Sequence, residues 1–221
     1  KPEVTGLLAA YDALVAAGEL KPDAEQRAAA ERLAALQSDL QAAPPRGSIL
    51  WRIAGRKPDA PRGVYLWGAV GRGKSMLMDL FYDHLAIQRQ RRVHFHAFML
   101  DVHARMREAR KSESGDPIPQ VAASLVENVR CLAFDEMVVN NSADAMILSR
   151  LFTALIDHGV TVVATSNRPP KDLYKDGLNR EHFLPFIALV EAKLDVMSLN
   201  GPTDYRRHRL GDGKRWFVPA D

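Results

Sequence analysis

Between residues 63 and 199, short runs of β-branched and aromatic residues alternate with longer helical stretches, and this alternation restricts the fold more than any other feature of the sequence. The runs are GVYLWG (63–68), RVHFHAF (92–98), VRCLAF (129–134), VTVVATSN (160–167) and KLDVMSL (193–199). Between them lie a helix opening near Lys74, one through MLDVHARMREAR (99–110), one through SADAMILSRLFTALIDHG (142–159) and one through REHFLPFIALV (180–190). Strands separated by helices cannot pair as hairpins, so the pattern predicts an α/β fold whose five-stranded, mostly parallel sheet is covered on both faces. At 221 residues, 47% hydrophobic and 26% charged, the chain suits one large domain with a small appendage.

The appendage precedes the first run. Residues 4–43 are rich in Ala, Leu, Glu, Gln and Arg, and Leu33, Leu36 and Leu40 recur at helical spacing, with Gly18 and Pro22 dividing the stretch in two. AAPPRG (42–47) ends the helix, AGRKPDAPRG (54–63) makes a polar connector, and a boundary is placed near residue 60. KSESGDPIP (111–119) reads as a mobile surface loop. A net charge of +3 permits an anionic partner without requiring one, and the single cysteine, Cys131, excludes an internal disulfide framework and fits a reducing compartment. No apolar run approaches the roughly 20 residues that cross a bilayer.

The first run leads into Gly68-Ala69-Val70-Gly71-Arg72-Gly73-Lys74-Ser75-Met76. Gly-x-x-x-x-Gly-Lys-Ser between a strand and a helix is the setting of a phosphate-binding loop: glycines let backbone N–H groups approach phosphate oxygens, and the helix N-terminus adds partial positive charge. Lys74 would reach the β- and γ-phosphates of ATP, and the Ser75 hydroxyl would ligate Mg²⁺. VRCLAF ends in Asp135-Glu136, at the sheet edge where open α/β folds bind ligands. Asp135 would hold Mg²⁺ through water, and Glu136 would orient and deprotonate the attacking water. VTVVATSN carries Asn167 to the tip of a strand beside that of Asp135, where its amide would meet the γ-phosphate or the water; the competing reading is turn capping before Pro169-Pro170. A guanidinium would complete the site. Arg180 is the favoured arginine and Arg168 the alternative. His94 and His96 share a strand face, but packing is favoured over a metal site, as burial is for Cys131 and a packed helix face for DLFYDHL (79–85).

With those residues placed, the chain resembles the ATPase-family-gene-one-like AAA+ proteins. The resemblance is carried by GVYLWGAVGRGKSMLMDLFY, VHFHAFMLDVHARM, FDE followed by ADAMILSRLF, VATSNRPPKDLYKDGLNREHFLPFI and TDYRRHRL. It implies a P-loop NTPase (AAA+) core with Gly68–Ser75 as Walker A, Asp135 and Glu136 as Walker B, Asn167 as sensor one and Arg180 as a finger acting in trans. It further implies ATP hydrolysis in a ring-forming homo-oligomer, possible as a hexamer, that remodels a protein partner. For the bacterial branch that partner is the division-ring protein FtsZ, in the cytoplasm and with peripheral membrane association at the division site. The mitochondrial branch serves quality control of inner-membrane proteins. Met137 and Asn140-Asn141 stand where the family has an aromatic residue and a Thr-Asp pair, and a chain stopping soon after WFVP (216–219) leaves no room for the helical lid, so a truncated sequence is expected. A helicase loader acting with nucleic acid is the main alternative, although no stripe of aromatic and basic residues supports nucleic-acid binding. A small-metabolite kinase and a nucleotide-gated module without turnover are weaker, because Glu136 equips the site for hydrolysis.

Overall fold

The computed structural model describes residues 6–21, 23–42, 60–112 and 115–200. In chain order these form α1 (Leu7–Ala16), α2 (Ala24–Ala42), β1 (Gly63–Trp67), α3 (Lys74–His84), β2 (Gln90–His94), α4 (Phe95–Ser112), α5 (Ile118–Leu125), β3 (Cys131–Asp135), α6 (Ser142–Asp157), β4 (Thr161–Ser166), α7 (Leu184–Lys193) and β5 (Leu194–Ser198). Short 3₁₀ turns at Pro170–Asp172 and Arg180–His182 precede α7. The sheet order is β2-β3-β4-β1-β5, and every adjacent pair is parallel. The carboxyl ends of β1, β3 and β4 therefore lie side by side, and the chain leaves each of them on the same edge.

Because side chains alternate along a strand, the sheet separates two cores. Tyr65, Leu132, Phe134, Val162 and Ala164 join α4–α7 on one face. Val64, Leu66, Cys131, Ala133 and Val163 meet α1, α2 and α3 on the other. The Leu33, Leu36 and Leu40 stripe is buried there, and so are Leu77, Met78 and Phe81 of α3. Asp23 caps α2: its Oδ1 accepts the amides of Glu25 at 2.8 Å and Gln26 at 3.3 Å. Asn141 caps α6 by accepting the Asp144 amide at 2.8 Å, so one of the two asparagines that depart from the family pattern serves as a helix start.

Three expectations need correction. RVHFHAF is not one strand: β2 spans Gln90–His94, and Phe95 opens α4 with no intervening turn. His94 and His96 therefore do not share a strand face. The 111–119 stretch is not all loop, since Lys111 and Ser112 end α4 and Ile118 and Pro119 begin α5, an eight-residue helix that the strand–helix pattern missed. Residues 43–59, with most of AAPPRG and of the polar connector, and the segments TDYRRHRL and WFVP lie outside the described residues. No helix among the described residues is long and apolar enough to cross a membrane.

Candidate nucleotide site

After Trp67 the chain turns through Gly68–Gly73 and enters α3 at Lys74, as the glycine spacing predicts. Gly71 (φ 81°) and Gly73 (φ 91°) occupy the left-handed region that side chains rarely adopt. At Gly73 an added Cβ would also lie 2.8 Å from Gln26 Nε2. Val70 stands at the loop apex, 84% exposed, with Ala69 and Gly71 exposed beside it. Half-buried Met76 follows Ser75, which is exposed in the first turn of α3.

Lys74 draws the strand tips together. Its ammonium donates to Asn167 Oδ1 at 3.0 Å, to the Ala69 carbonyl at 3.1 Å and to the Gly68 carbonyl. All three donors of the ammonium are thus satisfied by oxygens. Burial lowers its pKa from the ordinary lysine value, and the negative charge of Glu136 opposes that shift. The segment after Asn167 is fixed because Tyr65 donates its hydroxyl to the Arg168 carbonyl at 2.6 Å.

The two acids are held differently. Arg92 of β2 forks onto Asp135, with Nε on Oδ2 at 2.7 Å and Nη2 on Oδ1 at 3.0 Å, while its Nη1 reaches Asp79 of α3 at 2.5 Å. Hydrogen bonding to Asp135, foremost, raises the Arg92 pKa above its already high value, so the guanidinium is permanently charged. Glu136 is exposed, and its backbone is left-handed (φ 54°). Buried Thr165 anchors that turn: its Oγ1 accepts the Glu136 amide at 3.1 Å and its carbonyl accepts the Met137 amide at 2.7 Å. Ser166 adds a bond from Oγ to the Met137 carbonyl at 2.8 Å. Glu136 Oε2 lies 3.0 Å from His94 Nε2. A carboxylate only accepts, so Nε2 is the donor of this pair, and Nδ1 in turn accepts the His96 amide at 3.3 Å.

The oxygen donors fit Mg²⁺ in kind. Ser75 and Asp135 are hard ligands, and among the described residues no cluster of three or more His, Cys, Asp or Glu forms an all-protein metal cage. Mg²⁺ is commonly held by one or two protein oxygens together with substrate phosphates, and Ser75 and Asp135 carry oxygens of that kind.

Arg180 is not drawn into this group. It lies in the second 3₁₀ turn, donates from Nη2 to the Lys171 carbonyl at 2.7 Å, and leaves Nε buried without a partner. Sequence reasoning missed Arg92, Thr165 as an anchor, and Gln26, whose Nε2 donates to the Arg72 carbonyl of the loop at 3.0 Å. From sequence His94 reads only as packing or a metal ligand. Proximity in the chain could have signalled none of these contacts; the β2–β3 register, which sets His94 beside Asp135, could have pointed to two of them.

Comparison with known proteins decides the family, because the model for AFG1-like ATPases matches residues 5–221. The chain belongs to the AFG1-like ATPase family. Within it, this AFG1-like chain is 39% identical over 213 residues to the cell division protein ZapE of Escherichia coli, covering 91% of the chain and 56% of ZapE. It is 44% identical over 168 residues to an uncharacterized protein of Schizosaccharomyces pombe, covering 74% of the chain and 37% of that protein. The chain thus spans between about a third and just over half the length of these curated relatives. Among solved structures, replication initiator DnaA bound to AMPPCP and single-stranded DNA superposes with a TM-score of 0.54 at 14% identity, over 82% of this chain and 48% of DnaA. At that identity the likeness speaks for the fold alone, and the fold is that of the P-loop AAA+ proteins.

Proposed function

We propose that this chain is the nucleotide-binding core of an ATPase that binds ATP with Mg²⁺ and hydrolyses its γ-phosphate. The observation that carries the reading is the convergence of Lys74, Asn167, Asp135 and Glu136 on one edge of the sheet, with Lys74 bonded to Asn167 across β1 and β4. In this reading residues 61–221 carry the site, and residues 1–60 supply the helices that back it.

Loop amides from Gly68 to Met76 receive the phosphates, aided by the N-terminus of α3. Lys74 exchanges the Gly68 and Ala69 carbonyls for β- and γ-phosphate oxygens, and Asn167 is released to meet the γ-phosphate or the attacking water. Ser75 and Asp135 would hold Mg²⁺, which neutralises charge on the phosphates when bound. Glu136 orients a water and takes its proton as the oxygen attacks phosphorus, while the β–γ bridging bond breaks and its electron pair leaves with ADP. His94 keeps one oxygen of Glu136 occupied and so restricts which oxygen faces the water. The family resemblance implies that Arg180, outside this group, acts on a neighbouring copy's nucleotide in an oligomeric ring.

Family membership and the likeness to a cell division protein support coupling of hydrolysis to remodelling of a division-related protein partner in the bacterial cytoplasm, FtsZ being the partner the resemblance implies. A mitochondrial quality-control role and a helicase-loader role are the readings this must beat. Calorimetry with Mg²⁺ and a non-cleavable ATP analogue tests the core claim: binding is expected for the wild type and strongly weakened binding for Lys74→Ala. A folded wild type that gives no heat would overturn it. Pull-down with ATP-loaded Glu136→Gln tests the partner, with FtsZ expected in the captured fraction; recovery of nucleic acid or of an inner-membrane protein instead would replace the division reading.

A further inference from the structure

Arg92 belongs to the basic cluster Arg89, Arg91 and Arg92, but its environment sets it apart. Arg91 has a carboxylate only at 3.9 Å, from Asp101. Arg92 is three-quarters withdrawn from solvent and spends its fork on Asp135 and its remaining arm on Asp79, at 2.5 to 3.0 Å. Three elements meet at this guanidinium: β2, which carries it; β3, which ends in Asp135; and α3, whose first turn holds Lys74 and Ser75. Both oxygens of Asp135 are occupied by a cation that cannot be deprotonated. A divalent ion approaching Asp135 therefore meets a positive charge already in place, and only the second lone pair of each oxygen is open to it or to its water shell.

We propose that Arg92 is the resident cation of the metal position: it holds Asp135 while no divalent ion is bound, and its charge sets how much Mg²⁺ the site demands, with Asp79 offsetting part of that charge. This rests on the nucleotide-site reading and deepens it. Arg92 is a positioning residue, acting on the ion through Asp135. The charge count shows how the three groups divide the work. One guanidinium and two carboxylates leave a net single negative charge in this group, whereas Arg92 and Asp135 alone would leave none. Removing Arg92 should thus make the position more attractive to Mg²⁺, and neutralising Asp79 should make it less so. A plain structural staple joining β2, β3 and α3 predicts the same direction of damage from both changes.

The experiment titrates Mg²⁺ at fixed concentrations of a fluorescent, non-hydrolysable ATP analogue, using the full chain and its Arg92→Ala, Arg92→Lys and Asp79→Asn variants. Melting temperatures are taken in parallel in EDTA and in Mg²⁺. Half-saturating Mg²⁺ is expected to fall about fivefold in Arg92→Ala and to rise about threefold in Asp79→Asn, effects of the size that partly exposed charges exert on one another. Arg92→Lys keeps the charge but loses the fork, so its Mg²⁺ demand should stay at the wild-type level while its melting temperature in EDTA falls. Arg92→Ala should melt lowest in EDTA and recover part of that loss in Mg²⁺, because an added ion relieves two unpaired carboxylates.

A rise in Mg²⁺ demand in both Arg92→Ala and Asp79→Asn, or no change in either, would overturn the inference. If Arg92→Ala does not fold, an unchanged Mg²⁺ demand in Asp79→Asn would overturn it alone. A folded wild type that binds no analogue at saturating Mg²⁺ would remove the nucleotide reading and this inference together. A wild type that binds while the variants leave the Mg²⁺ titration unmoved removes only this one.

Discussion

The middles and the ends of the same strands obey opposite rules. In mid-strand, Tyr65, Leu66, Ala133, Phe134, Val163 and Ala164 are buried, apolar and matched to neighbours on both faces. Phe134 alone packs against Phe95, Phe98 and Phe152, with ring centroids 4.7 to 5.8 Å apart. One to three residues further on, Glu136 and Asn167 hold charge and amide in the open, on backbone that includes a left-handed glutamate, and Asp135 lies half-buried against Arg92. Apolar packing resides in the middles and polar groups stand at the ends, where Glu136 takes a left-handed backbone. Substitutions separated by two positions should therefore fail in different ways.

The sharpest contrast is between Glu136 and Phe134. Glu136→Gln should lower ATP turnover by roughly 10²- to 10⁴-fold, the usual worth of a positioned general base, in steady-state phosphate release. Its melting temperature should stay near that of the wild type, since the exposed carboxylate supports no buried contact. Phe134→Ala should do the reverse, costing about 3–5 kcal/mol in chemical denaturation by leaving a cavity among three rings, while folded molecules keep nucleotide affinity. A Glu136→Gln chain that unfolds early, or a Phe134→Ala chain that is stable but inactive, would break the division between middles and ends.

Thr165→Val tests the border, because Thr165 is a buried strand residue whose hydroxyl serves the exposed turn. Loss of the acceptor for the Glu136 amide should cost about 1–2 kcal/mol of stability and reduce turnover severalfold by loosening Glu136. The smallest effect is expected at Cys131. Burial pushes its thiol pKa up to about 12, so thiolate is scarce at neutral pH. Because burial holds the native pKa above the unfolded value, the folded chain binds that proton more tightly, and stability from this group falls only as pH rises through the unfolded pKa towards 12. At pH 8 a thiol reagent should label Cys131 only as fast as the chain opens.

The fold was legible where local pattern and tertiary demand agree. Five runs became five parallel strands, and the helix opens at Lys74 because glycine spacing and helix propensity point to the same residue. The pattern failed at Phe95, where β2 passes straight into α4 and no turn residue marks the change, and at α5, whose eight residues carry Pro119 near the start and too few turns for a periodicity. At the site, position followed from residue type and strand pattern, which put Lys74 after β1 and Asn167 after β4; the bond between them was not foreseen. Contacts made by long side chains between segments distant in the chain were not readable, since Arg92 is 43 residues from Asp135 and Gln26 is 46 from Arg72.

The double anchoring of the turn at Glu136 limits how the acid can respond to a bound nucleotide. With its own amide and that of Met137 tied to Thr165, the backbone cannot follow the side chain without breaking two bonds to β4. Re-aiming the carboxylate is then left to rotation about its own χ angles, a picosecond-to-nanosecond event for an exposed residue. Arming and disarming the acid would never set the pace of a catalytic cycle, which leaves that task to slower steps.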